Sequence, residues 1–130
     1  MATPAVRYLV DDVAEAIAFY TGHFGFTVQM NPGPGFAMLT GGGLRLMLNA
    51  VGGSGGASQP MPDGTMPSPG GWNRFMFEVQ DLDAVADGLR RAGVHLRSEV
   101  ITGFGGRQVV VDDPSGNPIE LFEPKEAAAP

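Results

Sequence analysis

The chain has 130 residues, 43% of them hydrophobic, a net charge of -6, two histidines and no cysteine. Its length suits a single compact domain, the missing cysteines exclude disulfides and thiolate metal sites, and the acidic balance with scattered basic residues argues against a nucleic-acid partner. No apolar run approaches membrane-spanning length, and MATPAVRYLV lacks a basic segment followed by a long apolar one, so no membrane partner and a cytoplasmic location are expected.

In chain order, an alternating strand over residues 6–10 meets the tandem Asp11 and Asp12, whose carboxylates can cap a helix. The helix carries Val13, Ile17, Phe19 and Tyr20 inward and is expected to stop near Gly22. Three short strands are predicted over residues 26–30, 35–40 and 44–49, separated by the turn signals NPGPG and GGG. The segment VGGSGGASQPMPDGTMPSPGG has the composition of a linker. A second strand (75–79), a helix (82–92), a strand over 95–100 and the hairpin RQVVVDDPSGNPIELF, with its turn at DPSGN, repeat the first half about 69 residues further on. The expected organisation is therefore one domain, 1–130, with a first module of about 1–50, a linker of about 51–71, a second module of about 72–124 and a short tail, 125–130.

Strand alternation sends residues i, i+2 and i+4 to one face. One face of the first half then collects Arg7 and Leu9, Phe36 and Met38, and Arg45, Met47 and Asn49; the second half collects Arg74 and Met76, Gln108 and Val110, and Glu120 and Phe122. Val6, Tyr8 and Val10 fall on the opposite face, toward the helix. Trp72 stands where the linker enters the second half. On the residues alone, such Met and Phe sets read as plain core ahead of a ligand wall, although methionine is adaptable and aromatic rings stack. Trp72 either anchors the linker or joins that wall. His23, ending the first helix, and His95, entering an outer strand, are read as surface or internally satisfied histidines.

The strand, Asp, helix ending in FY and FGF, followed by FEVQDLD and DDPSGNPIELFEP, resemble the vicinal oxygen chelate superfamily of glyoxalases, extradiol dioxygenases, fosfomycin-modifying enzymes and bleomycin-resistance proteins. The resemblance implies an α+β fold of two βαβββ modules whose curved mixed sheets form a cleft, completed in a homodimer. It further implies four metal-ligand positions, which fall here on Ala5, Arg45, Arg74 and Glu120. Alanine has no donor atom and a guanidinium has no lone pair to offer, so no metal and no cofactor are expected. Arg45, Arg74 and Glu120 are expected to form a salt-bridged cluster instead.

The function implied is that of the metal-free, bleomycin-resistance type: non-enzymatic sequestration of a bulky, partly aromatic antibiotic. The binding set is then Arg7, Leu9, Phe36, Met38, Arg45, Met47, Asn49, Trp72, Arg74, Met76, Gln108, Val110, Glu120 and Phe122. The alternative is a lyase, isomerase or dioxygenase of the same superfamily, metal-dependent or metal-free, with Glu120 as base.

Overall fold

A computed structural model of the protein describes residues 3–125. Of the expected tail, 125–130, all but Lys125 lies outside the described residues. The chain divides into two compact units, residues 1–70 with 114–117, and residues 71–113 with 118–130.

The first unit contains β1 (Ala5–Val10), α1 (Val13–Phe24), β2 (Thr27–Gly33), β3 (Phe36–Gly41) and β4 (Leu44–Ala50). The sheet order is β1-β4-β3-β2, with β1 parallel to β4 and the remaining pairs antiparallel. Asp12 is the N-cap of α1, its side chain accepting the Glu15 N–H at 3.0 Å. The helix does not stop at Gly22. It continues to Phe24 and ends at Gly25, whose φ of 68° gives the left-handed cap, so the better stop signal was the glycine able to close the last turn. Val13, Ala16, Phe19 and Tyr20 are buried beneath it; Ile17, expected inward, is half-buried. They pack with Tyr8, Val10, Ala37, Leu39, Leu46 and Leu48 from the same unit's core.

The expected linker begins as ordered backbone of the first unit. A 3-10 turn (Gly56–Ser58) buries Ser58 completely, and the Gly52 N–H bonds the Ser58 carbonyl at 3.1 Å. Gln59 Nε2 reaches back to the Gly53 carbonyl at 2.6 Å. Glycine composition signalled flexibility, but the same residues allow a tight turn to lie against the sheet. Also in this unit, buried Asn117 donates from Nδ2 to the Leu9 carbonyl at 2.7 Å and accepts the Gly70 N–H at 2.8 Å.

The second unit repeats the scheme with β5 (Phe75–Glu78), α2 (Leu82–Arg91), β6 (Ile101–Thr102), β7 (Gly106–Asp112) and β8 (Pro118–Pro124) in the order β5-β8-β7-β6, β5 running parallel to β8. Leu82, Ala86 and Leu89 of α2 and Val109, Val111, Ile119 and Leu121 of the sheet are buried. The expected strand over 95–100 is a correction: only Leu96 bridges, to Val111, and the regular strand is the two-residue β6 beyond it. His95 therefore does not lie in a strand. Around that bridge the Arg97 N–H bonds the Val110 carbonyl and the Asp112 N–H the His95 carbonyl, while the side chains of His95 and Arg97 bond the Asp112 carboxylate. On the surface the Arg107 guanidinium forks onto both oxygens of Asp83, which holds that carboxyl below the usual range.

The turn into β7 depends on Gly106. A Cβ there would stand 2.2 Å from the Glu123 carbonyl oxygen, whereas at Gly105 it would meet only Phe122 Cζ at 3.8 Å. Gly106→Ala is expected to lower unfolding free energy by about 2 kcal/mol and Gly105→Ala to be near neutral, measured by chemical denaturation.

Candidate ligand-binding site

Burial along β1, β3 and most of β4 alternates with the expected parity. In β1, Tyr8 and Val10 are buried while Arg7 is exposed and Leu9 half-buried; in β3 and β4, Ala37, Leu39, Leu46 and Leu48 are buried, and Phe36, Met38, Arg45 and Met47 are half-buried. Asn49 shares the second set's parity but is itself buried, 3% exposed. Register gathers these side chains into rows across the first unit's sheet. Arg7 lies beside Met47, Met47 beside Met38 and Met38 beside Met30; the next row is Leu9, Asn49 and Phe36. Met30, half exposed on edge strand β2, extends the methionine row and was not among the residues expected.

An open cavity of about 750 Å3 lies at the second row's end of the sheet, walled by Arg7, Phe36, Asn49, the turn 32–35 and the loop 53–57. That volume is within the usual range for small-molecule pockets. Arg7 Nη1 donates to Asn49 Oδ1 there, which satisfies the buried amide and orients the guanidinium. The wall comes close to the sheet at Gly55, where a Cβ would stand 3.2 Å from Asn49 Nδ2. The loop walls were missed in the sequence because GGSGGAS has no periodicity to place it, although NPGPG and GGSGGA both mark backbone that can approach closely.

In the second unit the rows are Met76, Glu120 and Val110, then Glu78, Phe122 and Gln108. Arg74 precedes β5 and forks onto one carboxylate oxygen: Nε and Nη2 reach Glu120 Oε1 at 3.0 and 2.7 Å, and Nη1 donates to the Trp72 carbonyl at 3.1 Å. The side chains of this pair are 24% and 12% exposed, so the interaction is partly shielded from water. Arg45, in the first unit, has a different partner: its Nη2 donates to the Thr3 carbonyl at 3.0 Å, and its buried Nε has no hydrogen-bond partner among the described residues. Of the expected three-residue cluster, the second unit by itself forms the Arg74–Glu120 pair. Trp72 is 69% exposed with the Arg97 guanidinium 4.5 Å from its ring centroid. Arg97 was not singled out in the sequence because it falls in the stretch read as a regular strand.

The donor set does not fit a metal ion. Ala5 offers no donor, Arg45 and Arg74 carry permanent positive charge, and Oε1 of Glu120 is taken by two N–H groups of Arg74. Among the described residues no three His, Asp or Glu side chains gather as a metal cluster, and no helix is long and apolar enough to cross a membrane.

Two units of this βαβββ scheme define a two-module glyoxalase-type fold. The chain belongs to the Glyoxalase/Bleomycin resistance protein/Dioxygenase superfamily, whose family model matches residues 4–121. It is 33% identical over 114 residues to CFP32 of Mycobacterium bovis, provisionally named a glyoxylase, covering 86% of this chain and 41% of that protein. The chain thus spans about two fifths of the curated relative's length. Among solved structures, a glyoxalase/bleomycin resistance protein/dioxygenase from Nocardioides shares the fold with a TM-score of 0.73 at 22% identity, over 100% of this chain and 87% of that one. Lactoylglutathione lyase from Agrobacterium tumefaciens gives 0.70 at 21% identity, over 94% and 92%, and the fosfomycin resistance protein FosX from Listeria monocytogenes 0.68 at 16%, over 99% and 95%.

Glu120→Gln removes the charge that two Arg74 N–H groups bond and leaves a partly shielded cation behind. Unfolding free energy should fall by about 2 kcal/mol, with part of the loss recovered in the double variant Arg74→Gln with Glu120→Gln. A single variant as stable as the parent in urea denaturation would contradict this role.

Proposed function

We propose that the protein binds and sequesters a bulky, partly aromatic antibiotic without chemical turnover, as bleomycin-resistance proteins do. The observation that carries this reading is the Arg74 fork on Glu120 at positions where the family resemblance places metal ligands. A carboxylate held in this way has one oxygen occupied by donors, which suits neutralising a cation better than taking a proton from substrate. In each unit the proposed ligand surface is the sheet face away from the helix: Arg7, Leu9, Phe36, Met38, Arg45, Met47 and Asn49 in the first unit, and Arg74, Met76, Gln108, Val110, Glu120 and Phe122, together with Trp72, in the second. Half-buried methionine and aromatic surface supports a flat apolar ligand, and the Arg7–Asn49 pair supplies a polar contact in the open cavity.

The rival reading is a lyase, isomerase or dioxygenase of the superfamily, and the Arg7–Asn49 pair is the feature in its favour, because an oriented guanidinium can also hold a substrate's carboxylate or developing oxyanion. A screen of intercalating and enediyne-type antibiotics by fluorescence of Trp72, the one tryptophan of the chain, with mass analysis of the recovered compound, separates the two. Binding with unchanged compound is expected; a new product would overturn the proposal.

Parity sharpens the test. Met47→Ala or Met76→Ala should weaken binding of a flat aromatic compound by on the order of 1 kcal/mol with little change in thermal stability. Tyr8→Ala, on the buried face of β1, should cost roughly 3 kcal/mol of folding energy. Calorimetry and thermal melts on the same variants read both quantities.

A homodimer is part of the proposal. Exposed Val28 and Met30 on β2, and Met76 on β5, leave apolar side chains on strands that a second copy can cover. Sedimentation should give a dimer at micromolar concentration. A monomer that still binds ligand would contradict it.

A further inference from the structure

In the second unit, four groups outside the Arg74–Glu120 pair are joined in series. Asp112 accepts from Arg97 Nε through Oδ1 at 2.8 Å and meets His95 Nδ1 through Oδ2 at 2.7 Å. Arg97 Nη1 donates to the Gly71 carbonyl at 2.8 Å, one residue before Trp72, and the Arg97 backbone N–H bonds the Val110 carbonyl at 2.8 Å. The guanidinium so held lies over the Trp72 ring, 4.5 Å from its centroid. Arg97 and Asp112 side chains are 17% and 14% exposed, yet Trp72 is 69% exposed. A shielded, tethered cation therefore backs one face of an indole that is otherwise open to solvent.

We infer that Arg97 is a specificity-determining and positioning residue for ligands stacked on Trp72, selecting flat aromatic compounds that are anionic or electron-rich over cationic ones. The inference rests on the ligand-binding reading above. A cation on one face draws on the ring's quadrupole, so a second cation on the opposite face gains less from it and is repelled. A charge on a compound stacked there lies about 8 Å from the guanidinium, about one Debye length at physiological salt. Asp112 bonds the guanidinium through Nε at 2.8 Å, and the guanidinium carbon lies 4.5 Å from the ring centroid. The protein's net charge of -6 acts in the opposite sense, favouring cations. At that separation the near guanidinium outweighs the diffuse charge, because screening removes the distant contributions first. Arg74, whose Nη1 bonds the Trp72 carbonyl, adds a second guanidinium beside the same residue.

The test uses the whole chain and its one tryptophan. Iodide and caesium quench indole from opposite charges. Relative to free N-acetyltryptophanamide, the parent should favour iodide, and Arg97→Gln should abolish or reverse that preference. Arg97→Lys, which keeps the charge but not the planar fork, should fall between them. In parallel, anthraquinone-2-sulfonate and its quaternary-ammonium counterpart are titrated by Trp72 quenching and by calorimetry. The sulfonate should bind the parent roughly two- to fivefold more tightly, and that ratio should fall to one or below in Arg97→Gln. Equal affinities in the parent, or a preference unchanged by Arg97→Gln, overturn the inference. Heat of binding without Trp72 quenching also overturns it while leaving the sequestration reading in place. No binding of either probe overturns both.

Discussion

Each unit depends on one constraint: its first strand pairs in parallel with its last, β1 with β4 and β5 with β8. A parallel pair needs a crossover, and here the crossover begins with the helix, which must then lie against one face of the sheet. Burial follows from that geometry. Tyr8, Val10, Leu46 and Leu48 in one unit, and Ile119 and Leu121 in the other, are sealed on the helix side. The residues between them are left on a face for which the module supplies no second helix, and that face carries the methionines, the arginines and Glu120.

On that face, polar groups are held by charge-assisted bonds within each unit. The Arg7 guanidinium meets the Asn49 amide, Arg74 meets Glu120, and Arg97 meets Asp112. Such bonds are about twice as strong as neutral ones and fix long side chains that would otherwise be mobile. They leave the surrounding methionine and aromatic surface as the adaptable part of the wall. In the second unit, Oε1 of Glu120 is thereby taken by two N–H groups of Arg74.

How much of this was legible in the sequence varies with the physical signal. Period-two alternation in AVRYLV, LRLMLNA and PIELFEP foretold which side chains share a face, because one helix-covered face demands it. The near-repeat about 69 residues apart carried the module count, and the resemblance carried the βαβββ scheme. α1 runs two residues past the expected stop because Gly22 is tolerated inside the helix while Gly25 takes the left-handed cap. The expected strand at 95–100 is reduced to the single bridge of Leu96 to Val111, and the side chains around it bond Asp112 and the Gly71 carbonyl, contacts distant in sequence that no local pattern reveals. The same non-locality hid Arg97 as the partner of Trp72, and the glycine-rich loop 53–57 as a cavity wall.

The central claim is that the uncovered sheet faces receive the ligand. Its most direct test is methyl NMR of the chain labelled at its seven methionines, titrated with anthraquinone-2-sulfonate. Met38, Met47 and Met76 lie on those faces, and Met61 and Met66 in the loop before β5 serve as internal references. The account predicts saturable shifts at Met38, Met47 or Met76 with the loop methyls unmoved and the compound recovered intact. Shifts confined to Met61 and Met66, or conversion of the compound, would contradict it.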